Sequence, residues 1–332
     1  MRLIMDNNVW AAIARTGSKT ALERWSAARG WKVCTPPATL LEMLRDSNLE
    51  RLTANVSALT SKQWVRLRTE ADMECAEMVA EAKRVRPRWV RQIPLPGEPA
   101  ALRTFWTHQI WRAVARNPAR YVAQRQSMME SSERLEQAVY QGLKANRDSR
   151  ITQNFHAGPL KGMVATPTDE APDDYVLGWE ERQPVEPWRV ESRDVYRMGL
   201  TTALISKVGA GDTTLADWIH PYLWPERVTR DWADFTRFWL FDVDSANMPR
   251  NWIRWAIATA QIMGRIKQSD LRDGQLAAYL IDCDVFLTED RRFANALEMV
   301  RASCPAAMAD IRRIAFATSD AAIVDIIESA LT

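Results

Sequence analysis

Short apolar runs alternate with helical patterns at both ends of the 332-residue chain. Arg2 to Met5 and Trp31 to Cys34 are predicted to be buried strands, because brief apolar runs that end in turn formers are typical of a parallel sheet. A third such run is Val285 to Leu287. Helical spacing of apolar residues follows each strand, and this alternation predicts an α/β fold with a doubly wound parallel sheet flanked by helices.

The middle of the chain has a different pattern, with long helical segments rich in Arg, Glu and Trp. We predict a large, mainly α-helical insertion at 47–244, with a flexible loop near 146–187 where Pro, Gly, Asp and Thr are frequent. The sheet domain is then discontinuous and consists of 1–46 and 245–332. Trp239 to Phe241 fits either a strand or a helix end. The last strand is predicted at Arg312 to Ala317, and the last helix at Ala321 to Leu331.

Composition narrows the function classes only a little. A hydrophobic content of 47% supports a real core, and a net charge of +2 says little about partners. The amino terminus reaches Asp6 after a few apolar residues, and no run is long enough to span a bilayer, so we expect a cytoplasmic protein without a membrane segment. The four cysteines lack CxxC spacing and the three histidines lack zinc spacing. We expect reduced cysteines, no zinc site, and a core that contains most of the tryptophans.

Four acidic residues stand where strands or core-facing helices bring them toward one edge of the predicted sheet. They are Asp6, Glu42, Asp273 and Asp290. Right-handed crossovers place all the strand ends on the same side, where ligands of open α/β sheets gather. Clustered carboxylates raise one another's pKa, and a divalent cation removes that repulsion. Oxygen-only ligation suits Mg²⁺ or Mn²⁺, and the chemistry that such a site suits best is phosphodiester hydrolysis.

The segments that carry these acids resemble the PIN domain. The match consists of DNNV from Asp6, Glu42 in a helix led by prolines, DGQLAAYL from Asp273, and FLTEDRRF, which contains Asp290. PIN domains are mostly metal-dependent ribonucleases and include toxins of bacterial toxin–antitoxin pairs. The resemblance covers roughly 1–46 and 245–332. It implies a five-stranded parallel α/β sandwich in which these four acids are the catalytic residues and bind one or two Mg²⁺ or Mn²⁺ ions.

Two further positions match the family as supporting residues, namely Asn8 and Thr288. Asn7 departs from the pattern, because relatives usually have Thr or Ser there. The resemblance implies an endoribonuclease with RNA as its substrate, and a toxin or defence role would follow by analogy. It leaves open an inhibitory or regulatory protein partner and a homo-oligomer.

Arg291 and Arg292 directly follow Asp290 and are predicted to contact a substrate phosphate. Basic residues near Trp89 and near Trp111 form two other candidate surfaces, since single-stranded nucleic acid binds cations interleaved with aromatic rings. One alternative is a catalytically weak PIN-like interaction module that binds a protein through the Trp-rich insertion. Another is a DNA nuclease. The Asp-x-Asp pattern of haloacid-dehalogenase-like phosphatases is missing, because the third position is Asn8.

Overall fold

Five parallel strands form the sheet in the order β3-β2-β1-β4-β5. The structure is a computed structural model, and it describes residues 1–95, 97–124, 137, 141, 160–205, 215–262, 270–316 and 322–332. The central strand β1 is buried from Leu3 to Met5, as expected for a strand that is covered by helices on both faces. The strands are β1 (Arg2–Met5), β2 (Lys32–Thr35), β3 (Val65–Arg66), β4 (Val285–Thr288) and β5 (Asp310–Arg313).

The strand order places a topological switch point between β1 and β4. The chain builds the sheet outward from β1 through β2 to β3, and later returns to the other side of β1 as β4. Ile4 pairs with Phe286, and Met5 pairs with Leu287. Asp6 and Asp290 follow these two neighbouring strands, and the crevice beyond the carboxyl ends at a switch point is where open α/β sheets bind ligands.

Helices cover the sheet and continue through the middle of the chain. The α-helices are α1 (Asn7–Arg15), α2 (Lys19–Arg29), α3 (Pro37–Met43), α4 (Leu49–Leu59), α5 (Glu70–Val85), α6 (Glu98–Thr104), α7 (Ile110–Arg116), α8 (Asp173–Val176), α9 (Pro187–Ile205), α10 (Leu215–Ile219), α11 (Pro225–Val228), α12 (Trp232–Arg237), α13 (Pro249–Ile262), α14 (Asp270–Ala277), α15 (Arg291–Arg301) and α16 (Ile323–Leu331). Short 3₁₀ helices occupy Pro87–Trp89, Glu180–Arg182 and Ser245–Asn247, and π-helical turns occupy Phe105–Gln109 and Phe238–Asp242. A further helical stretch covers 118–124.

The predicted α/β class with a parallel, helix-flanked sheet is confirmed. The last strand starts two residues and ends four residues earlier than predicted, because the apolar signal of Ile314 and Phe316 comes after the final pairing of Thr288 with Arg313. Trp239 to Phe241, which the sequence left open between strand and helix end, belongs to the π-helical turn Phe238–Asp242. As expected, most tryptophans are buried.

The range 47–244 contributes to the sheet as well as to the helical region. β3 pairs with β2 at its edge, and α4 packs against α1 and α3. The remaining described elements of this range are helical. Of the predicted loop near 146–187, the residues before 160 lie outside the described part, and the rest contains α8 and a 3₁₀ helix. In the described residues no helix combines the length and apolarity needed to cross a bilayer, and all four cysteines are free thiols.

A row of four glutamates runs along one face of α5, and α5 packs against α13. We call Glu70, Glu74, Glu77 and Glu81 the glutamate row; their spacing of four, three and four residues places them on one side of a helix. Glu70 accepts a hydrogen bond from the Tyr279 hydroxyl at 2.8 Å. Glu81 accepts bonds from Arg84 Nε and Asn247 Nδ2, both at 2.9 Å.

Arginines of α13 hold the middle of the glutamate row. Arg254 donates to Glu74, and Arg250 Nη1 donates to Glu77 at 2.9 Å. Arg254 also pairs with Glu191 of α9 at 3.5 Å, so this guanidinium joins three helices. The row therefore ties the helical region to the sheet through charge-assisted bonds in which most of the carboxylates have a nearby cation.

Candidate functional site

Asp6 lies at the centre of the candidate site, directly after β1. Its extended backbone (φ −66°, ψ 160°) ends the strand and caps α1, and Asp6 Oδ1 accepts the Asn7 backbone N–H at 2.7 Å. The Asp6 backbone N–H donates to the Leu287 carbonyl at 2.9 Å, which fixes this turn against β4. Only 6% of the Asp6 surface is exposed, so the carboxylate sits in a buried environment.

The hydroxyl of Thr288 links two of the predicted acids. Thr288 is fully buried at the end of β4, and its Oγ1 donates to Asp6 Oδ2 at 2.7 Å. The same oxygen accepts the Asp290 backbone N–H at 3.0 Å. One buried hydroxyl therefore orients the Asp6 carboxylate and the turn that carries Asp290, and this is how supporting residues hold a ligating carboxylate.

Asp290 is the N-cap of α15 and is half-buried. Its Oδ1 accepts the backbone N–H groups of Arg292 at 2.7 Å and Phe293 at 3.0 Å. A carboxylate at this position caps the helix and complements its dipole. Both of these bonds end on Oδ1, which leaves Oδ2 outside the cap.

Glu42 approaches Asp6 from α3 and is held by Asn7. The helix starts at Pro37, so Glu42 lies in its second turn, where it is half-buried. Asn7 Nδ2 donates to Glu42 Oε2, while Asn7 Oδ1 is buried and accepts no hydrogen bond from any described residue. Asn8, which the sequence named as a supporting residue, is exposed. Sequence reasoning did not find this contact of Asn7, and its only signal was the departure from the usual Thr or Ser.

Asp273 reaches the site region from α14. Gln261 Nε2 of α13 lies 3.5 Å from Asp273 Oδ2, and α14 packs against α3, the helix that carries Glu42. Asp273 is half-buried. The structure thus brings Asp6, Glu42 and Asp290 around one turn and places Asp273 on a neighbouring helix.

The surroundings of the site disfavour the ionised forms of Asp6 and Glu42. Burial raises the pKa of Asp6, and the charges of Asp290 and Glu289 raise it further, against the lowering effect of hydrogen bonds from Thr288 and Asn7. Burial and the charge of Asp6 also raise the pKa of Glu42, while Arg272 and Arg45 lower it. Desolvation and like charges favour the protonated forms, so a bound cation would stabilise the ionised carboxylates.

The oxygen donors fit a hard divalent ion by their chemistry. Carboxylates and an amide carbonyl are the ligands that Mg²⁺ and Mn²⁺ prefer, and Asn7 Oδ1 is a buried oxygen without a hydrogen-bond donor among the described residues. Across the described ranges, no three His, Cys, Asp or Glu side chains lie close enough together to hold an ion. The carboxylates would have to approach one another to share one.

The predicted phosphate contacts stand beside Asp290 at the start of α15. Arg291 is exposed and Arg292 is half-buried. Three arginines of the basic cluster near Trp89 contact other residues of the protein. Arg86 and Arg88 pair with Asp234 at 2.7 Å, and Arg91 stacks on Trp224 at 3.8 Å from the ring centre. Near Trp111, Arg112, Arg116 and Arg120 are exposed, and Arg125 lies outside the described residues.

No protein-family model matches the chain, and no curated protein or solved structure is similar enough to it to count as a match.

Proposed function

We propose that the chain is a Mg²⁺- or Mn²⁺-dependent endoribonuclease with a PIN-like sheet. The observation that carries this proposal is the buried group at the switch point, where Thr288 joins Asp6 to the Asp290 turn and Glu42 approaches through Asn7. Asp6 and Glu42 have raised pKa values and accept hydrogen bonds from neutral donors, which suits a site whose balancing charge comes from a ligand. The choice of RNA rests on the resemblance of the four acidic segments to PIN domains.

Each residue has a defined task in this proposal. Asp6, Glu42 and Asp290, with Asp273 from α14, would hold one or two ions. A bound ion of this kind polarises a phosphodiester and lowers the pKa of an attacking water. Thr288 keeps the Asp6 carboxylate in one orientation, and Asn7 does the same for Glu42. Arg291 is exposed next to Asp290 and would meet the phosphate of the RNA.

Cleavage of labelled single-stranded RNA in Mg²⁺ or Mn²⁺, with and without EDTA, tests the proposal. We expect Asp6→Asn and Asp290→Asn each to lower the rate on the order of 100-fold or more, because each removes a ligating charge. Asp325→Asn is the matched control, since Asp325 is exposed on α16 and should leave the rate unchanged. Cleavage that survives EDTA and both site variants would overturn the proposal.

Two other outcomes identify the alternatives. Metal-dependent cleavage of single-stranded DNA but not of RNA would make the protein a DNA nuclease. Calorimetric titration that shows no Mn²⁺ binding, together with no cleavage, would favour the interaction module, because Asn7 already departs from the family pattern. Both experiments use the whole chain, since the sheet takes strands from 1–66 and 285–313.

A further inference from the structure

An open cavity of about 750 Å³ lies on the molecule away from the candidate nuclease site. Its wall includes Arg2, the first residue of β1, whereas Asp6 follows the other end of that strand. Four residues of strand span roughly 13 Å at about 3.3 Å per residue. The volume falls within the range of small-molecule pockets.

Arginines dominate the charge of this cavity. Five of them line it, against three carboxylates. The carboxylates already bind donors from the protein: Glu77 and Asp282 bind Arg250, and Glu81 binds Arg84. The lining is therefore cationic, and its acids have little capacity left to attract a second cation.

Three of the arginines keep donors for a ligand. Within the described residues, no carboxylate pairs with the Arg2 guanidinium. Burial raises the pKa of the neighbouring Cys34 thiol, and a side-chain hydrogen bond and the charge of Arg2 lower it. Arg84 binds Glu81 and the Asp242 carbonyl through Nε and Nη2, which leaves Nη1 available. Arg68 binds the Asp72 carboxylate through Nε and the Asp72 carbonyl through Nη2, which leaves Nη1 available. The side chains of Arg68 and Arg84 are 39% and 49% exposed.

The rest of the lining is small or apolar. Ala76 and Ala80 are exposed on the face of α5 that turns toward the cavity, and they leave its floor open. Val65, Leu67 and Met73 supply an apolar wall beside them. Arginines from three separate elements suit several phosphate oxygens, because a guanidinium binds phosphate with two parallel hydrogen bonds. An apolar wall next to them suits the flat face of a base.

We propose that this cavity binds a nucleoside diphosphate or triphosphate, with its phosphates at Arg2 and Arg84 and its base against Leu67 and Met73. The site does not depend on the nuclease proposal, since none of these residues belongs to the acidic site. It would give the protein a nucleotide-binding function at the opposite end of β1.

Isothermal titration of the whole protein in EDTA tests the proposal with ADP, pyrophosphate and adenosine as probes. EDTA keeps divalent ions out of the acidic site and so removes metal-mediated binding there, and the cavity variants assign the remaining binding to the cavity. We expect saturable binding of ADP and of pyrophosphate, and binding of adenosine weaker by about tenfold or more, because charged hydrogen bonds carry the affinity.

Two variants change the lining of the cavity without removing an ion pair. Arg2→Gln should weaken ADP binding about tenfold, and Ala80→Glu should abolish it by filling the floor with a negative charge. Arg24→Gln and Ala27→Glu are the matched controls on exposed positions of α2, and both should bind ADP as the wild type does. Thermal melts establish that all four variants are folded.

Four results would overturn the proposal. One is the absence of saturable ADP and pyrophosphate binding to the wild type at millimolar concentration. Another is adenosine binding as tightly as ADP, since the arginines would then have no role. The third is unchanged ADP binding in both Arg2→Gln and Ala80→Glu. Binding of RNA oligonucleotides without binding of ADP would likewise contradict a small-nucleotide site.

Discussion

Two groups of buried carboxylates in this protein are balanced in opposite ways. In the glutamate row of α5, two arginines of α13 reach the middle acids, and Arg84 reaches Glu81. At the candidate site, Asp6 accepts hydrogen bonds from the Thr288 hydroxyl and the Asn7 backbone N–H, and Glu42 accepts one from the Asn7 amide. Most acids of the first group are bonded to arginines, whereas the described donors to Asp6, at the centre of the second group, are neutral.

This difference separates a structural role from a functional one. A buried ion pair between two side chains of the protein holds secondary-structure elements together. Removing one partner lowers the free energy of unfolding by several kcal/mol. Buried acids with neutral donors stay destabilised until a cation arrives, which is the arrangement expected of a binding site. The number of buried acids is therefore less informative than the charge of the groups that contact them.

The largest expected effect comes from removing the shared arginine of the glutamate row. Arg254→Met leaves Glu74 and Glu191 without their cation, so we expect the free energy of unfolding to fall by about 3 kcal/mol. Urea denaturation at pH 8 measures it. Arg88→Met is the control, because Arg88 pairs with Asp234 but is 67% exposed, and should change stability by less than about 0.5 kcal/mol. Equal losses in both variants would mean that the row is no more than a set of surface pairs.

The next effect is on the pH dependence of stability. Burial, with the charges of Glu70 and Glu77 and against the effect of Arg254, raises the pKa of Glu74 from 4.5 to about 7. The folded protein then keeps this proton to higher pH than the unfolded chain does. The unfolding free energy should therefore fall as pH rises from 4.5 to about 7, and this contribution is complete above that pH.

Glu74→Gln should flatten that slope, as measured by urea denaturation across the same pH range. Glu81→Gln is the matched control on the same helix, because hydrogen bonds from Arg84, the Asp244 backbone N–H and Asn247 outweigh burial and lower the pKa of Glu81. Glu81 contributes stability above its unfolded pKa and loses it only at lower pH. If Glu81→Gln flattens the slope and Glu74→Gln does not, the pH dependence comes from Glu81 and not from Glu74.

A smaller effect of opposite sign is expected at the candidate site. In EDTA at pH 8, Glu42→Gln should raise the free energy of unfolding by about 1 kcal/mol, because it removes a buried charge that Asp6 repels. The same change should weaken Mn²⁺ binding by more than about tenfold in calorimetric titration. Loss of stability without loss of Mn²⁺ binding would place Glu42 among the structural acids instead.

The sequence predicts the sheet where strands are long and buried, and fails where they are short or half-exposed. β1, β2 and β4 were predicted to within one residue at each end because their apolar runs are bounded by turn formers. β3 has two residues, Val65 and Arg66, and so short a strand has no periodicity to detect. β5 lies at the sheet edge with partly exposed residues, so the apolar signal pointed past it.

Contacts between residues that are far apart in the sequence were harder to predict than the location of each residue in the fold. The sequence placed Asp6 and Asp290 at the same edge of the sheet, since crossover rules fix which strand ends share an edge. It did not show that Asn7 contacts Glu42, because 35 residues separate them and no local pattern encodes the pairing. The glutamate row was visible as spacing, yet only the burial of that face of α5 distinguishes it from a solvated charged helix.

The smallest expected effect distinguishes the two asparagines after Asp6. Asn7→Ala removes the donor that orients Glu42 and the buried oxygen beside it, so Mn²⁺ affinity should fall about fivefold, below the loss expected for a ligand. Asn8→Ala is the control on an exposed neighbour and should leave the affinity unchanged. A larger loss for Asn8→Ala would show that the family's usual asparagine supports the site, and that the Asn7 contact does not. Because the two residues are adjacent on α1, a general loss of helix stability would affect both variants alike and cannot produce the difference between them.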